Sequence, residues 1–124
     1  SIHTYPAGQY KDINEGLAYT IENYNAVAAA YPDKQIVITE AGWATQSNGR
    51  GIEPSNVSES FQKQYFQQLM DWAEQEQVLV YYFEAFDESW KGSDDPVEPE
   101  KHWGLYKTNR RPKQAMYRPL RRAV

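Results

Sequence analysis

The sequence predicts an α/β fold built from parallel strand–helix units, and three observations support this prediction. Two long amphipathic stretches, residues 12–31 and 58–77, separate short runs of strand-forming residues. The elements follow the order strand, helix, strand, helix, strand, helix, which favours parallel pairing through right-handed crossovers. The 124 residues suffice for one compact domain with its own core. We therefore treat residues 1–124 as a single domain.

The first unit begins with a predicted strand over residues 1–5. Pro6 ends this strand, because a proline forces the residue before it out of helical geometry. Apolar residues then recur at helical spacing over residues 12–31, with Asp12 as the expected N-cap. Pro32 ends this predicted helix.

The second and third units repeat the order. Residues 35–40 predict a buried strand, since the first four are apolar or weakly polar and three of these four are β-branched. A polar, glycine-containing loop follows over residues 45–54, and Ser58 is the expected cap of the next helix. Residues 78–83 predict the third strand, and residues 112–122 predict a last short helix interrupted by a proline.

Composition excludes several classes of function. With 13 basic and 17 acidic residues the net charge is −4, which does not indicate nucleic-acid binding. No apolar run approaches 18 residues, so we expect no membrane partner. The chain has no cysteine, and His3 and His102 are far apart in sequence, so we expect neither a metal site nor a cofactor.

A carboxylate at the end of the second strand is the strongest functional signal. Glu40 follows the apolar run and is itself followed by Ala41, Gly42 and Trp43. The carboxyl ends of parallel barrel strands carry the chemistry of that fold, and a glutamate beside an indole suits a sugar-cleaving site. The alternative is a strand-end glutamate paired with a neighbouring lysine or arginine.

Strand alternation predicts which side chains share a face. If Glu40 points towards the barrel axis, then Ile36 and Ile38 do so too. The same argument places Tyr5, Glu40 and Glu84 around one cleft at the carboxyl ends of three strands.

Two blocks of the sequence resemble glycoside hydrolase family 17. Residues 36–43 are similar to the nucleophile motif of its β-1,3-glucanases, in which a glutamate, a small residue, glycine and tryptophan end the seventh strand. Residues 83–91 and 100–106 resemble the eighth-strand segment, especially that of bacterial members. The resemblance implies the C-terminal part, about strands 6 to 8, of a TIM (β/α)₈ barrel. We expect self-association or a missing N-terminal part to complete it.

The resemblance also implies a role for each matching residue. Glu40 would be the nucleophile of a retaining glycosidase. Glu88, Lys91 and Glu100 would orient the catalytic pair and the sugar hydroxyls, with ordinary loop charge as the alternative for Lys91 and Glu100. Glu84 is an addition typical of the bacterial pattern and could hold Glu40 in place.

Three tryptophans are candidates for sugar stacking. Trp43, Trp90 and Trp103 lie within the two blocks, and a flat indole packs well against the C–H face of a glucose ring. Aromatic residues make up 15% of the chain, so a place in the core is the alternative for each.

The general acid/base of the family is a glutamate on the fourth strand, and a complete barrel needs about 200 to 250 residues. The chain starts at Ser1 without an initiator methionine, as a piece of a longer protein would. We therefore expect a β-1,3-glucan hydrolase or glucosyltransferase as the parent protein and an inactive isolated chain. The alternative is a noncatalytic half-barrel that binds sugar or only assembles. The implied partners are a β-glucan and further copies of the chain, in an extracellular or periplasmic setting.

Overall fold

The computed structural model describes residues 1–117 and contains a parallel sheet of three strands in the order β1, β2, β3. The strands and helices alternate as β1 (Ile2–Thr4), α1 (Gly16–Ala30), β2 (Ile38–Ala41), α2 (Glu59–Glu76) and β3 (Val80–Tyr82). Short 3₁₀ turns occupy Pro6–Gln9, Pro54–Asn56, Pro99–Lys101 and Gln114–Met116. The predicted order from the first strand to the third and the parallel pairing are both confirmed.

Helix α1 begins later than predicted. The expected N-cap, Asp12, instead closes a turn: its Oδ1 accepts hydrogen bonds from the backbone N–H of Asn14 at 2.8 Å and of Glu15 at 3.2 Å. The helix then starts at Gly16 without a side-chain cap. An aspartate can satisfy the backbone of a turn as well as that of a helix, and the apolar spacing does not distinguish the two.

Helix α2 follows the prediction closely. The Ser58 hydroxyl accepts a hydrogen bond from the backbone N–H of Phe61 at 2.9 Å, as an N-cap does. The buried stripe includes Tyr65, Leu69 and Ala73, and Gln77 ends the helix in a left-handed conformation. Neither helix within residues 1–117 is long and apolar enough to cross a bilayer.

The strands and the last helix are shorter than predicted. Strand β2 begins at Ile38, not at residue 35, and β3 spans only Val80–Tyr82. The helix predicted over residues 112–122 is a single 3₁₀ turn at Gln114–Met116 where the structure describes it. Its remaining part, from residue 118 onwards, lies outside the described residues.

The helices cover one face of the sheet and leave the other open. Ile36 and Ile38 are buried in the core together with residues of α2, so both face the helices. Leu79 and Tyr81 are 47% and 58% exposed, which places them on the open face. In a closed barrel this open face would point to the axis.

The alternation argument for Glu40 is therefore wrong in its details. Ile38 and Ala41 are both fully buried although they are three positions apart, and the β2–β3 register shifts between them. Such an irregularity breaks the period of two. Glu40 is partly exposed and pairs across the strands with His3, so it does not share the face of Ile36 and Ile38.

The glycine that follows β2 allows close backbone contact with β3. The backbone N–H of Phe83 donates to the Ala41 carbonyl at 2.8 Å. A Cβ on Gly42 would lie 1.8 Å from the Phe83 carbonyl oxygen. Because that obstacle is backbone rather than a flexible side chain, any larger residue must push the two strand ends apart.

We expect Gly42→Ala to lower the free energy of unfolding by about 1–3 kcal/mol, as forced overpacking does. The measurement is urea unfolding followed by circular dichroism. The matched control is Gly8→Ala, whose new Cβ meets the Tyr5 Cβ at an ordinary 3.9 Å. The control should change the free energy by no more than about 1 kcal/mol. Equal effects of the two substitutions would contradict the steric argument.

Candidate functional site

The candidate site lies at the carboxyl edge of the sheet, where the chain after β3 pairs with a later turn. The backbone N–H of Glu84 donates to the Trp103 carbonyl at 3.2 Å, and that of Leu105 donates back to the Glu84 carbonyl at 2.9 Å. Asp87 N–H continues the ladder by donating to the Tyr106 carbonyl at 2.8 Å. The segment after β3 and the later turn are thus joined into one rim, and the backbone N–H of Thr45, after β2, donates to the His102 carbonyl of that turn at 3.0 Å.

Glu40 presents an accessible carboxylate on this rim. Its side chain is 33% exposed, and Oε2 lies 3.6 Å from Nε2 of His3 on the neighbouring strand. Among the described residues the basic side chain within 4 Å of the Glu40 carboxylate is thus a histidine, not the lysine or arginine of the alternative interpretation. A partly solvated carboxylate held by one neighbour remains free to attack a bound group.

An aromatic cleft of about 320 Å³ opens beside the strand ends. The ring of Tyr5 meets the rings of Phe83 and Trp103 edge to face, at centroid distances of 5.7 and 5.3 Å. Glu100, which is exposed, also lines the cleft. The cleft is further lined by Gly8, Gln9, Arg50, Gly51, Ile52 and Pro99. Three of the predicted site residues, Tyr5, Glu100 and Trp103, therefore come together here.

Two of the three predicted stacking tryptophans belong to the core instead. Trp43 is fully buried, its Nε1 donates to the Asn56 carbonyl at 2.9 Å, and its ring packs on Tyr65 of α2. Trp103 is 4% exposed and contacts Tyr5, which leaves too little ring surface for a sugar to stack on. The stacking prediction is wrong for Trp43, whereas Trp103 is largely buried but still lines the aromatic cleft.

Trp90 remains available for stacking. Its residue surface is 74% exposed, and the ammonium of Lys91 lies 5.6 Å from the ring centroid. An exposed indole offers a flat apolar face together with a polar N–H, which suits a contact surface that is partly wet.

Lys91 gathers two predicted carboxylates into what we call the Lys91 cluster, which consists of Glu84, Glu88 and Lys91. The Lys91 Nζ donates to both carboxylate oxygens of Glu84 at 3.1 Å and lies 2.5 Å from Oε2 of Glu88. It also lies 4.9 Å from the centroid of the Phe83 ring, which lines the aromatic cleft. The cluster is therefore adjacent to the cleft through Phe83.

The two carboxylates of the Lys91 cluster differ in acidity. Burial and the hydrogen bond to Glu88 raise the pKa of Glu84 to about 7, against the opposing effect of Lys91. Glu88 is partly exposed, and its hydrogen bond to Lys91 lowers its pKa. Burial tends to lower the pKa of Lys91, but its two carboxylate partners raise it overall. One lysine thus neutralises one carboxylate and leaves the other able to hold a proton near neutral pH.

Glu100 precedes the turn at residues 103–106, and a second glutamate two positions before it, Glu98, is buried. Glu100 is exposed, whereas Glu98 is 6% exposed and accepts a hydrogen bond from the Ser93 hydroxyl at 2.8 Å. Sequence reasoning singled out Glu100 and missed Glu98. Among residues 1–117, no group of three or more histidine, cysteine or acidic side chains is placed to hold a metal ion.

Sequence reasoning also missed a buried glutamine that joins the two blocks. Gln62 is fully buried, and its Nε2 donates to the Trp43 carbonyl at 3.1 Å and to the Gly104 carbonyl at 2.9 Å. The signal was present in the sequence, because Gln62 precedes Tyr65 and Leu69 at helical spacing and so falls on the buried stripe of α2.

A second missed group, the Lys113 hub, consists of Thr45, Asp87, His102 and Lys113. The Lys113 Nζ lies 2.7 Å from Oδ1 of Asp87, with side chains that are 2% and 8% exposed. Burial would raise the pKa of Asp87, but the nearby His102 ring and Lys113 lower it overall. Burial lowers the pKa of Lys113, against the opposing effect of Asp87. The hub lines a separate cleft of about 560 Å³.

Comparison with known protein families gives a match over most of the chain. The family described as "BtgE/BtgC glycoside hydrolase domain" matches residues 1–104. A curated relative named glucan 1,3-beta-glucosidase, from Arthroderma benhamiae, is 34% identical over 85 residues. That alignment covers 63% of this chain and 26% of the relative, so the chain spans about a quarter of the relative's length.

Solved structures show the same fold. A Rhizomucor miehei beta-1,3-glucanosyltransferase, an active-site mutant in complex with laminaritriose, superposes with a TM-score of 0.80 at 22% identity. The superposition covers 93% of this chain and 41% of that one. An endo-laminarinase from Formosa Hel1_33_131 gives a TM-score of 0.78 at 26% identity, over 85% of this chain and 28% of that one. The three strands and two helices of the described residues thus have the fold of part of a family 17 barrel.

The raised pKa of Glu84 predicts a pH dependence of stability. A carboxyl group with a pKa raised from 4.5 to about 7 in the folded state stabilises that state below pH 4.5. This contribution is lost as the pH rises through about 7. We therefore expect the unfolding free energy of the wild type, relative to Glu84→Gln, to fall between these two pH values.

Urea unfolding at a series of pH values measures this difference. Glu22→Gln, an exposed substitution on α1, is the control and should show no such trend relative to the wild type. A wild-type stability that rises with pH relative to Glu84→Gln would contradict the assignment.

Proposed function

We propose, since the chain belongs to the BtgE/BtgC glycoside hydrolase domain family, that the protein containing it cleaves β-1,3-glucan by a retaining mechanism. The observation that carries the proposal is the accessible carboxylate of Glu40, which ends β2. The aromatic cleft and the Lys91 cluster accompany it at the carboxyl edge. This edge carries the catalytic groups of (β/α)₈ barrels.

In the proposed mechanism Glu40 attacks the anomeric carbon of a bound glucosyl unit. The bond from that carbon to the leaving oxygen breaks, and a general acid elsewhere in the barrel protonates the leaving oxygen. Water then releases the sugar from the Glu40 ester in a hydrolase, whereas a sugar hydroxyl does so in a glucanosyltransferase. His3, at 3.6 Å, would orient the Glu40 carboxylate for this attack.

The remaining predicted residues would bind the sugar. Trp90 supplies an exposed indole for stacking, and Tyr5 lines the aromatic cleft. Glu88 and Lys91 offer charged hydrogen-bonding groups to sugar hydroxyls, and Glu100 does the same from the rim of the cleft. Trp43 and Trp103 would support the site from the core instead.

The isolated chain is proposed to be inactive. Retaining hydrolysis needs two carboxyl groups about 5 to 5.5 Å apart, one of them a general acid/base. The structure describes three strands. The general acid/base glutamate that the family resemblance implies belongs to the fourth strand of a complete barrel, which is not among these three. A noncatalytic half-barrel that assembles with itself is the second candidate, and the open sheet face with Leu79 and Tyr81 favours it.

An extracellular or periplasmic location is part of the proposal, because a glucan polymer does not cross a lipid bilayer. A bacterial source stays a prediction from the residues that follow β3. The curated relative described above is fungal.

We expect Glu40→Gln, introduced into a complete barrel that contains this chain, to lower kcat at least about 1000-fold, as loss of a nucleophile does. The amide keeps the shape of the side chain but cannot form the glucosyl ester, so binding of laminari-oligosaccharides should persist. Reducing-sugar release and isothermal titration calorimetry measure the two effects. Glu22→Gln is the control and should keep full turnover.

Full activity of the Glu40→Gln barrel would remove Glu40 from the mechanism.

The 124-residue chain alone should release sugar at least about 100-fold more slowly than the complete barrel, given the usual contribution of general acid catalysis. Robust hydrolysis by the isolated chain would show that another carboxyl group, in this chain or in a second copy, acts as the acid.

Self-association of the isolated chain is the last part of the proposal. An open parallel sheet exposes apolar side chains and unpaired backbone groups, which favour pairing with another copy. Light scattering should give a mass above that of the monomer, and Tyr81→Lys on the open face should reduce it. Tyr31→Lys is the matched control, since both tyrosines are 58% exposed. A strictly monomeric, folded wild type at high concentration would contradict this prediction.

A further inference from the structure

Lys113 is a buried lysine whose three N–H donors are all used. Its Nζ donates to Asp87 Oδ1 at 2.7 Å, to Thr45 Oγ1 at 2.9 Å and to the His102 carbonyl at 3.4 Å. The side chain is only 2% exposed. Burying a charged amine is costly unless every donor is paired, so this arrangement specifies one geometry.

The three acceptors belong to three separate segments of the candidate site. Thr45 follows the block that carries Glu40, and Asp87 directly precedes Glu88. His102 starts the turn that pairs with the segment after β3, and its own carbonyl also accepts the Thr45 N–H at 3.0 Å. One ammonium group therefore connects all three segments.

Asp87 links this ammonium group to the Lys91 cluster. Its carboxylate accepts the Gly104 N–H at 2.8 Å as well as Lys113, and its own N–H donates to the Tyr106 carbonyl at 2.8 Å. Because Asp87 lies between Glu84 and Lys91 in the chain, fixing Asp87 limits the movement of the residues on either side of it.

We propose that Lys113 is a positioning residue, which acts through Asp87 to hold Glu84, Glu88 and Lys91 in the arrangement that receives the sugar. The positioning role of Lys113 is argued from the contacts above, whereas the binding of sugar by the cluster rests on the proposed function. Lys113 does not line the aromatic cleft, and its three hydrogen bonds go to residues outside the Lys91 cluster. Its proposed effect on the cluster therefore passes through Asp87.

The test measures the Lys91 cluster directly in the 124-residue chain and requires no activity. The carboxyl carbon of Glu84 is followed by NMR as a function of pH, and its midpoint in the wild type should lie at about 7. In Lys113→Met the cluster should loosen and become more solvated, so the midpoint should fall by about one unit or more towards its ordinary value. Loss of a positive charge alone would raise the midpoint, so the direction separates the two effects.

Three further variants keep the test decisive. Thr45→Val keeps the shape of the side chain but removes one acceptor of Lys113, and it should lower the Glu84 midpoint by a smaller amount than Lys113→Met does. Leu69→Val, in the core of α2, should destabilise the fold but removes no hydrogen bond of the hub, so it should leave the midpoint unchanged. Lys113→Arg keeps the charge and should restore part of the wild-type midpoint.

An unchanged or raised Glu84 midpoint in both Lys113→Met and Thr45→Val overturns the inference. An equal fall in Leu69→Val also overturns it, because the effect would then follow stability alone. Neither result bears on the Glu40→Gln assay in the complete barrel. Full turnover in that assay would overturn the proposed function and leave the positioning result valid.

Discussion

Direct backbone contact at the carboxyl edge of the sheet is the constraint on which the candidate site depends. A Cβ on Gly42 would lie 1.8 Å from the Phe83 carbonyl oxygen, and one on Gly104 would lie 2.1 Å from the Asp87 nitrogen. Glycine alone permits both approaches. Without them the segment after β3 could pair neither with β2 nor with the later turn, and Glu40 would have no rim of binding groups beside it.

Buried polar groups then select one arrangement of these segments. Gln62 holds the carbonyls of Trp43 and Gly104, and Lys113 holds Asp87. Removing one partner of a buried ion pair costs about 3–5 kcal/mol, whereas an apolar replacement of both partners is often neutral. Such groups therefore contribute specificity more than net stability. In this chain they connect the covered core to a rim that is otherwise made of loops.

Sequence periodicity predicted those elements whose signal is local. Ser58 and the apolar stripe of α2 identified that helix almost to the residue, since a cap and a repeat act within one segment. Asp12 misled the prediction of α1, because the same carboxylate can close a turn. The faces of β2 were also mispredicted, since the irregularity between Ile38 and Ala41 depends on pairing with a strand far away in sequence.

The sequence by itself determined the strand–helix order, the family resemblance and the place of Glu40 at a strand end, because each of these depends on neighbouring residues. Only the tertiary structure decided that Trp43 and Trp103 are buried while Trp90 is exposed. It also brought Lys113 against Asp87. The physical reason is that burial and the partners of a charge depend on segments that the chain brings together only when it folds.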